Sequence, residues 1–121
     1  IIIEDGKVLL ARRAKGEKLE GHWEFPGGKR EEDETIDECL VREIREELSL
    51  DIEVVGEFDT SDYEYPGGQI RLIGLLAEIQ NGVISKTVHD LVEWIDISAV
   101  LDYQLAPADV PLAERLRNDY G

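Results

Sequence analysis

The chain has little cysteine, little histidine and little positive charge, and each shortage removes a class of function. A single cysteine, Cys39, rules out an internal disulfide and fits a reducing compartment, which leads us to expect a cytoplasmic protein. On the stripe of apolar residues described below, Cys39 reads as core packing. Neither histidine nor cysteine supplies a metal ligand near the acidic stretch, which argues against zinc. Lys and Arg total 13 against 28 Asp and Glu, a formal net charge of −15. Duplex nucleic acid is therefore a poor partner, because such binding depends on cations neutralising phosphates. A small polyphosphate escorted by divalent cations remains admissible. No run of about eighteen apolar residues is present, so no membrane-spanning helix is expected. Internal repeats, low-complexity segments and linkers are also missing, and we read one domain over residues 1–121, with monomer and homodimer both open.

What the chain does have is concentrated between Gly28 and Leu50, GKREEDETIDECLVREIREELSL. At about 100° per residue, Ile36, Cys39, Leu40, Glu43 and Glu47 share one helix face, with Glu46 at its edge. Thr35 followed by Glu38 fits a capping box at the helix start. A second seam of Leu40, Ile44 and Leu48, with Val41 beside it, is the grip of the helix on a sheet. Acids spaced three and four residues apart repel by a few tenths of a kcal/mol per pair at about one helical turn. A cation would relieve this, and an all-oxygen set suits Mg²⁺ or Mn²⁺. The bland alternative is a solvated acidic helix face.

Around this helix the chain reads as strands. Ile1–Ile3 and Val8–Ala11 flank Asp5-Gly6, a tight hairpin signal. Arg12 and Arg13 close the second strand, where paired arginines can clamp phosphate. His22 to Phe25 is a short strand running into Pro26-Gly27-Gly28, and Gly28 can offer its carbonyl to a metal because glycine allows close backbone approach. Residues 52–58 and 69–79 read as strands joined through Pro66-Gly67-Gly68, Asn81-Gly82 as a further hairpin turn, and residues 91–97 as a last strand. A helical turn is expected up to Leu101, and Pro111–Arg117 as a C-terminal helix. The order predicts an α+β fold, an α/β/α sandwich on a mixed β-sheet.

The spacing Gly28, five residues, Glu34, seven residues, Arg42-Glu43-Ile44-Arg45-Glu46-Glu47-Leu48-Ser49-Leu50 resembles the box of the Nudix hydrolases. One position departs: Ser49 stands where the family has glycine, at a helix end where glycine eases a left-handed turn. His22 to Lys29 and Leu105 to Pro111 also resemble the family's MutT-like branch, which hydrolyses nucleoside triphosphates to the monophosphate and pyrophosphate. Within that branch the likeness is to enzymes acting on CTP and to those that sanitise the nucleotide pool of oxidised dGTP. The resemblance implies metal binding by Gly28, Glu43, Glu46 and Glu47, with Mg²⁺ (or Mn²⁺) as cofactor, and support from Glu34 and Arg42. It implies nucleotide contact by Arg13, a base-pocket wall at Phe25 and base reading by Asp109. Arg42 more readily orients a glutamate such as Glu34 or Glu46 than touches substrate.

Two further departures matter. Where many relatives have Glu-His, this chain has Val88-His89, so a glutamate role is either missing or taken by Asp90 or His89. Asp109 stands where an amide would both donate and accept. Ionised, it only accepts, which favours cytosine; protonated in a dry pocket, it also donates; or it caps the helix near Pro111. The same box on ADP-ribose or a nucleotide sugar, and a non-catalytic nucleotide-binding module, are the alternatives.

Overall fold

The computed structural model describes residues 1–85 and 89–121. Its centre is a strand whose residues are buried on both faces. β2 (Lys7–Arg13) carries Val8, Leu9, Leu10 and Ala11, all fully buried. Val8 and Leu10 join one apolar cluster and Leu9 the other, as period-2 alternation requires of a strand covered on both sides. Its antiparallel neighbours are β1 (Ile3–Glu4), β3 (Trp23–Glu24) and β6 (His89–Asp96). The β1–β2 connection is the expected hairpin, with Asp5 and Gly6 at φ 52° and 75°, the left-handed pair that a two-residue turn demands.

A second, two-stranded sheet is the long hairpin of β4 (Leu50–Tyr65) and β5 (Gly68–Gly82), closed by Pro66 and Gly67 with Gly67 at φ 105°. A parallel bridge from Ile2 to Ala77 ties the two sheets together and makes the whole mixed. Asn81-Gly82 is not a turn: both residues continue β5, opposite Asp51 and Leu50. Gly82 sits at φ 107°, and a Cβ there would run into the Ser49 carbonyl and Leu50, so glycine serves a close backbone approach.

One helix covers each face of these joined sheets. α1 (Ile36–Leu48) buries Ile44 and Leu48 against Ile2, Leu9, Leu50, Ile52 and Ala77. α2 (Val110–Tyr120) buries Leu112, Ala113 and Leu116 against Val8, Leu10, Trp23 and Ile95. α2 runs past Arg117, the end that the sequence pattern implies, because its last turn, Asn118-Asp119-Tyr120, is exposed and carries none of the apolar stripe. The predicted helical turn is a 3₁₀ segment, Ile97–Asp102, and a shorter one, Pro107–Asp109, precedes α2. The α+β sandwich is thus as expected. Among the described residues no helix is long and apolar enough to cross a membrane.

α1 begins with the predicted capping box: Glu38 N–H donates to Thr35 Oγ1 at 3.1 Å and Thr35 N–H to Glu38 Oε1 at 2.8 Å. It ends at Ser49, held left-handed at φ 60°, ψ 30°. A side chain pays for that conformation in steric strain, so Ser49→Gly should raise stability by about 0.5–1 kcal/mol after the added flexibility of the unfolded chain is counted. Equilibrium denaturant unfolding checks this; an unchanged or lower midpoint would show that the neighbouring strands relieve the strain.

Candidate active site

The packing of α1 turns Glu43 toward the Gly28 backbone and Glu47 toward Arg13 of β2 and Glu24 of β3. Arg42 gathers them. Its Nε and Nη2 fork onto Glu34 at 3.0 and 2.8 Å, its Nη1 donates to Glu43 at 2.9 Å and Glu46 at 3.1 Å, and its Nη2 also reaches the Lys29 carbonyl at 3.2 Å. This fork, helped by the Glu31 backbone N–H, holds the Glu34 carboxyl down at about 2. Glu34 is therefore a fixed anion that anchors the Gly28–Thr35 loop to the helix. The same two bonds fix the plane of the Arg42 guanidinium.

Glu43 and Glu47 form the deeper half. Burial first, then the neighbouring Glu43 charge and a hydrogen bond with Glu43, push Glu47 up to about 8. A buried carboxyl beside a second carboxylate disfavours its charged form. A Cβ at residue 28 would collide with the Glu43 carboxylate, so Gly28 is where the backbone closes on the acids. Its carbonyl faces the Cys39 thiol at 3.7 Å. Glu46, with 61 % of its side chain exposed, stands at the rim on Arg42. Among the described residues no three acids, imidazoles or thiols are gathered tightly enough to enclose a cation. The donor set nonetheless suits a hard divalent ion: all oxygen, with Glu43 and Glu47 near enough that a cation would remove their repulsion.

Across from α1, a small polar cavity of about 70 Å³ is lined by Arg13, Glu17, Glu24, Gly27, Glu47 and His89. Glu24 is its hub, accepting from Arg13 Nε at 3.0 Å and lying 2.8 Å from His89 Nε2. A broader groove of about 520 Å³ on the outer side of α1 includes Arg42 and Glu46 but none of these four groups, Arg13, Glu24, Glu47 and His89. The two arginines that end β2 part company. The pairing register shifts between them, so Arg12 forks onto Asp90 at 2.9 and 3.0 Å and lies over the Trp23 ring, while Arg13 enters the cavity. Asp90 is thereby committed to Arg12. Val88 lies outside the described residues.

Asp109 reaches the site from the other layer. Trp23 N–H donates to the Gln104 carbonyl and Ala106 N–H to the Trp23 carbonyl, both at 2.8 Å, which lays the segment leading to Asp109 beside β3. Asp109 is 4 % exposed. Burial, and after it the Glu24 charge, raise its carboxyl to about 8, against an opposing pull from Arg13. It makes no side-chain cap bond to α2, so the geometry gives no support to a capping role. Phe25 is 9 % exposed and packed in the cluster with Leu105 and Leu112. Glu24 and His89 are the residues that the sequence reading left without a settled role. The signal for Glu24 was there: an acid between buried Trp23 and Phe25 must point to the opposite face of its strand.

A six-element sheet sandwich carrying this acidic helix over a glycine pair defines a Nudix-type hydrolase. The NUDIX domain model matches residues 1–116, and the chain belongs to the Nudix family. It is 42 % identical over 115 residues to the CTP pyrophosphohydrolase of Escherichia coli (strain K12), covering 94 % of this chain and 84 % of that protein. It is 36 % identical over 80 residues to the 8-oxo-dGTP diphosphatase of Proteus vulgaris, covering 65 % of this chain and 71 % of that protein. Among solved structures, the E. coli ORF135 protein superposes with a TM-score of 0.80 at 39 % identity, covering 94 % of this chain and 81 % of that one.

The raised carboxyl of Asp109 makes a signed prediction. A folded-state value above the unfolded one means that the native state holds the extra proton, so this residue's stabilising share is full at low pH and is lost as pH rises toward and through about 8. Asparagine cannot ionise. The melting temperature of Asp109→Asn should therefore gain on that of the wild type between about pH 5 and about pH 9. A constant difference across that range would mean that Asp109 titrates as an ordinary carboxylate.

Proposed function

We propose that this chain is a divalent-metal-dependent pyrophosphohydrolase that cleaves a nucleoside triphosphate, CTP or a modified dCTP or oxidised dGTP, to the monophosphate and pyrophosphate. The observation that supports the reading is the polar cavity where Glu47 of α1 meets Arg13 and Glu24, with Glu43 beside Gly28 and the buried Asp109 within reach of the charges of Glu24 and Arg13. Such a site suits a ligand with several phosphates and a base at opposite ends. The relatives named for CTP and for 8-oxo-dGTP support the same class.

Gly28, Glu43, Glu46 and Glu47 would hold the cation. When bound, it offsets phosphate charge and acidifies a coordinated water. The chain's own residues supply position and proton transfer. Arg42, fixed by Glu34, keeps Glu43 and Glu46 turned to the same side of α1. One of the ionised glutamates of α1 takes the proton of the attacking water as general base. Arg13 binds the nucleotide through its outer nitrogens. Phe25, packed beneath, supports the floor of the base pocket. Asp109, neutral at ordinary pH, both donates and accepts, as the amide of related enzymes does. That pattern complements the N3 and amino edge of cytosine, and equally the O6 and N7–H edge of 8-oxo-guanine.

A hydrolysis screen with Mg²⁺ over CTP, dGTP, 8-oxo-dGTP, ADP-ribose and a nucleotide sugar tests this directly. We expect monophosphate and pyrophosphate from CTP or 8-oxo-dGTP, and a kcat lowered by about two or more orders of magnitude in Glu47→Gln with folding intact. Asp109→Asn should shift relative kcat/KM among bases by no more than about 1–3 kcal/mol, the worth of a base-edge pair. Cleavage of ADP-ribose or the nucleotide sugar alone would replace the substrate assignment. Binding without turnover of any of them would make the chain a nucleotide-binding module.

A further inference from the structure

We propose that His89 is a positioning residue which, through Glu24, sets the aim of Arg13 at the nucleotide. The inference rests on the reading of Arg13 as a nucleotide contact.

His89 is enclosed, with 2 % of its side chain exposed, and its Nε2 lies 2.8 Å from Glu24 Oε2. A carboxylate only accepts, so Nε2 carries the proton and donates. The other oxygen of Glu24 accepts from Arg13 Nε at 3.0 Å. One carboxylate is thus held at both oxygens and cannot turn without breaking a bond. Because Arg13 is anchored through Nε, its two terminal nitrogens are engaged by no described residue, and 35 % of its side chain is exposed. The fork lines the cavity while its stem is fixed.

The backbone builds this chain of contacts. β6 sets His89 opposite Arg13 after the register shift, and β3 sets Glu24 opposite Ala11 on the same strand. Ala11 contributes only a methyl group there, which leaves room for Glu24 and His89 to meet over β2. His89 Nδ1 is buried and has no hydrogen-bond partner among the described residues. A residue serving packing alone would be better apolar, since an orphaned buried nitrogen is a cost that leucine avoids. The imidazole is kept for its Nε2 bond.

Steady-state kinetics with CTP and Mg²⁺ test the proposal in His89→Leu, His89→Asn, His89→Gln, Arg13→Ala and the double variant His89→Leu/Arg13→Ala, with melting curves to check folding. The glutamine amide nitrogen reaches the place of Nε2, whereas that of asparagine falls short. We expect KM to rise about three- to tenfold in His89→Leu and His89→Asn with kcat within about twofold, and to recover most of the way in His89→Gln. In the Arg13→Ala background, His89→Leu should change KM by less than about twofold. Should His89→Leu not fold, the asparagine–glutamine contrast decides alone. Equal KM values for those two variants, or fold-changes that multiply in the double variant, would overturn the proposal while leaving Arg13 in place. An unchanged KM in Arg13→Ala would instead overturn the nucleotide reading of Arg13, and the role of His89 with it.

Discussion

Everything at the site depends on how α1 is seated. Ile44 and Leu48, both fully buried against Leu9, Ile2 and Ala77, allow only one rotation of the helix about its axis. Replacing either by alanine would cost roughly 2–5 kcal/mol, a large share of a small domain's stability. That rotation points Glu43 at the Gly28 backbone and Glu47 into the cavity with Arg13 and Glu24, and leaves Glu46 at the rim. The acids are therefore crowded because apolar packing elsewhere on the helix compels it.

A protein with a net charge of −15 has few cations to spare, and their placement shows where crowding is worst. Arg42 touches Glu34, Glu43 and Glu46; Arg13 faces Glu24 and counters the raised carboxyls of both Glu47 and Asp109. Two guanidinium groups thus serve six carboxyl groups, and burial beside like charges raises the carboxyls of Glu47 and Asp109. Many of the other acids, such as Glu53, Glu57, Asp62 and Glu64 on β4, lie exposed where water and salt screen them.

How legible each part was follows from how local its cause is. The capping box at Thr35, the face of α1 and the turns at Asp5-Gly6 and Pro66-Gly67 are decided within a few residues, and the sequence shows them. Asn81-Gly82 has the letters of a turn, yet the glycine is there because β5 passes the Ser49 carbonyl, a contact across 33 residues that no local pattern reveals. Glu24 and His89 are 65 residues apart and meet only because both strands flank β2. The parting of Arg12 from Arg13 depends on a register shift against β6, and the protonation of Asp109 on its burial beneath α2 and the nearness of Glu24. Spacing fixed the acidic helix; pairing between distant strands fixed the other half of the pocket.

We propose that Glu43, Glu46 and Glu47 are held together for a divalent cation. Thermal unfolding with increasing Mg²⁺ tests it most directly, in the wild type and in a variant carrying Glu43→Gln, Glu46→Gln and Glu47→Gln. A cation that binds only the native acids stabilises by RT ln(1 + [L]/Kd), about 2.7 kcal/mol at a hundredfold excess over Kd. The account predicts a saturating rise in Tm for the wild type. The variant, already relieved of its repulsion, should start at a higher Tm than the metal-free wild type and respond little. An equal Mg²⁺ response in both proteins would contradict it, since the cation would then be acting on the acidic surface at large.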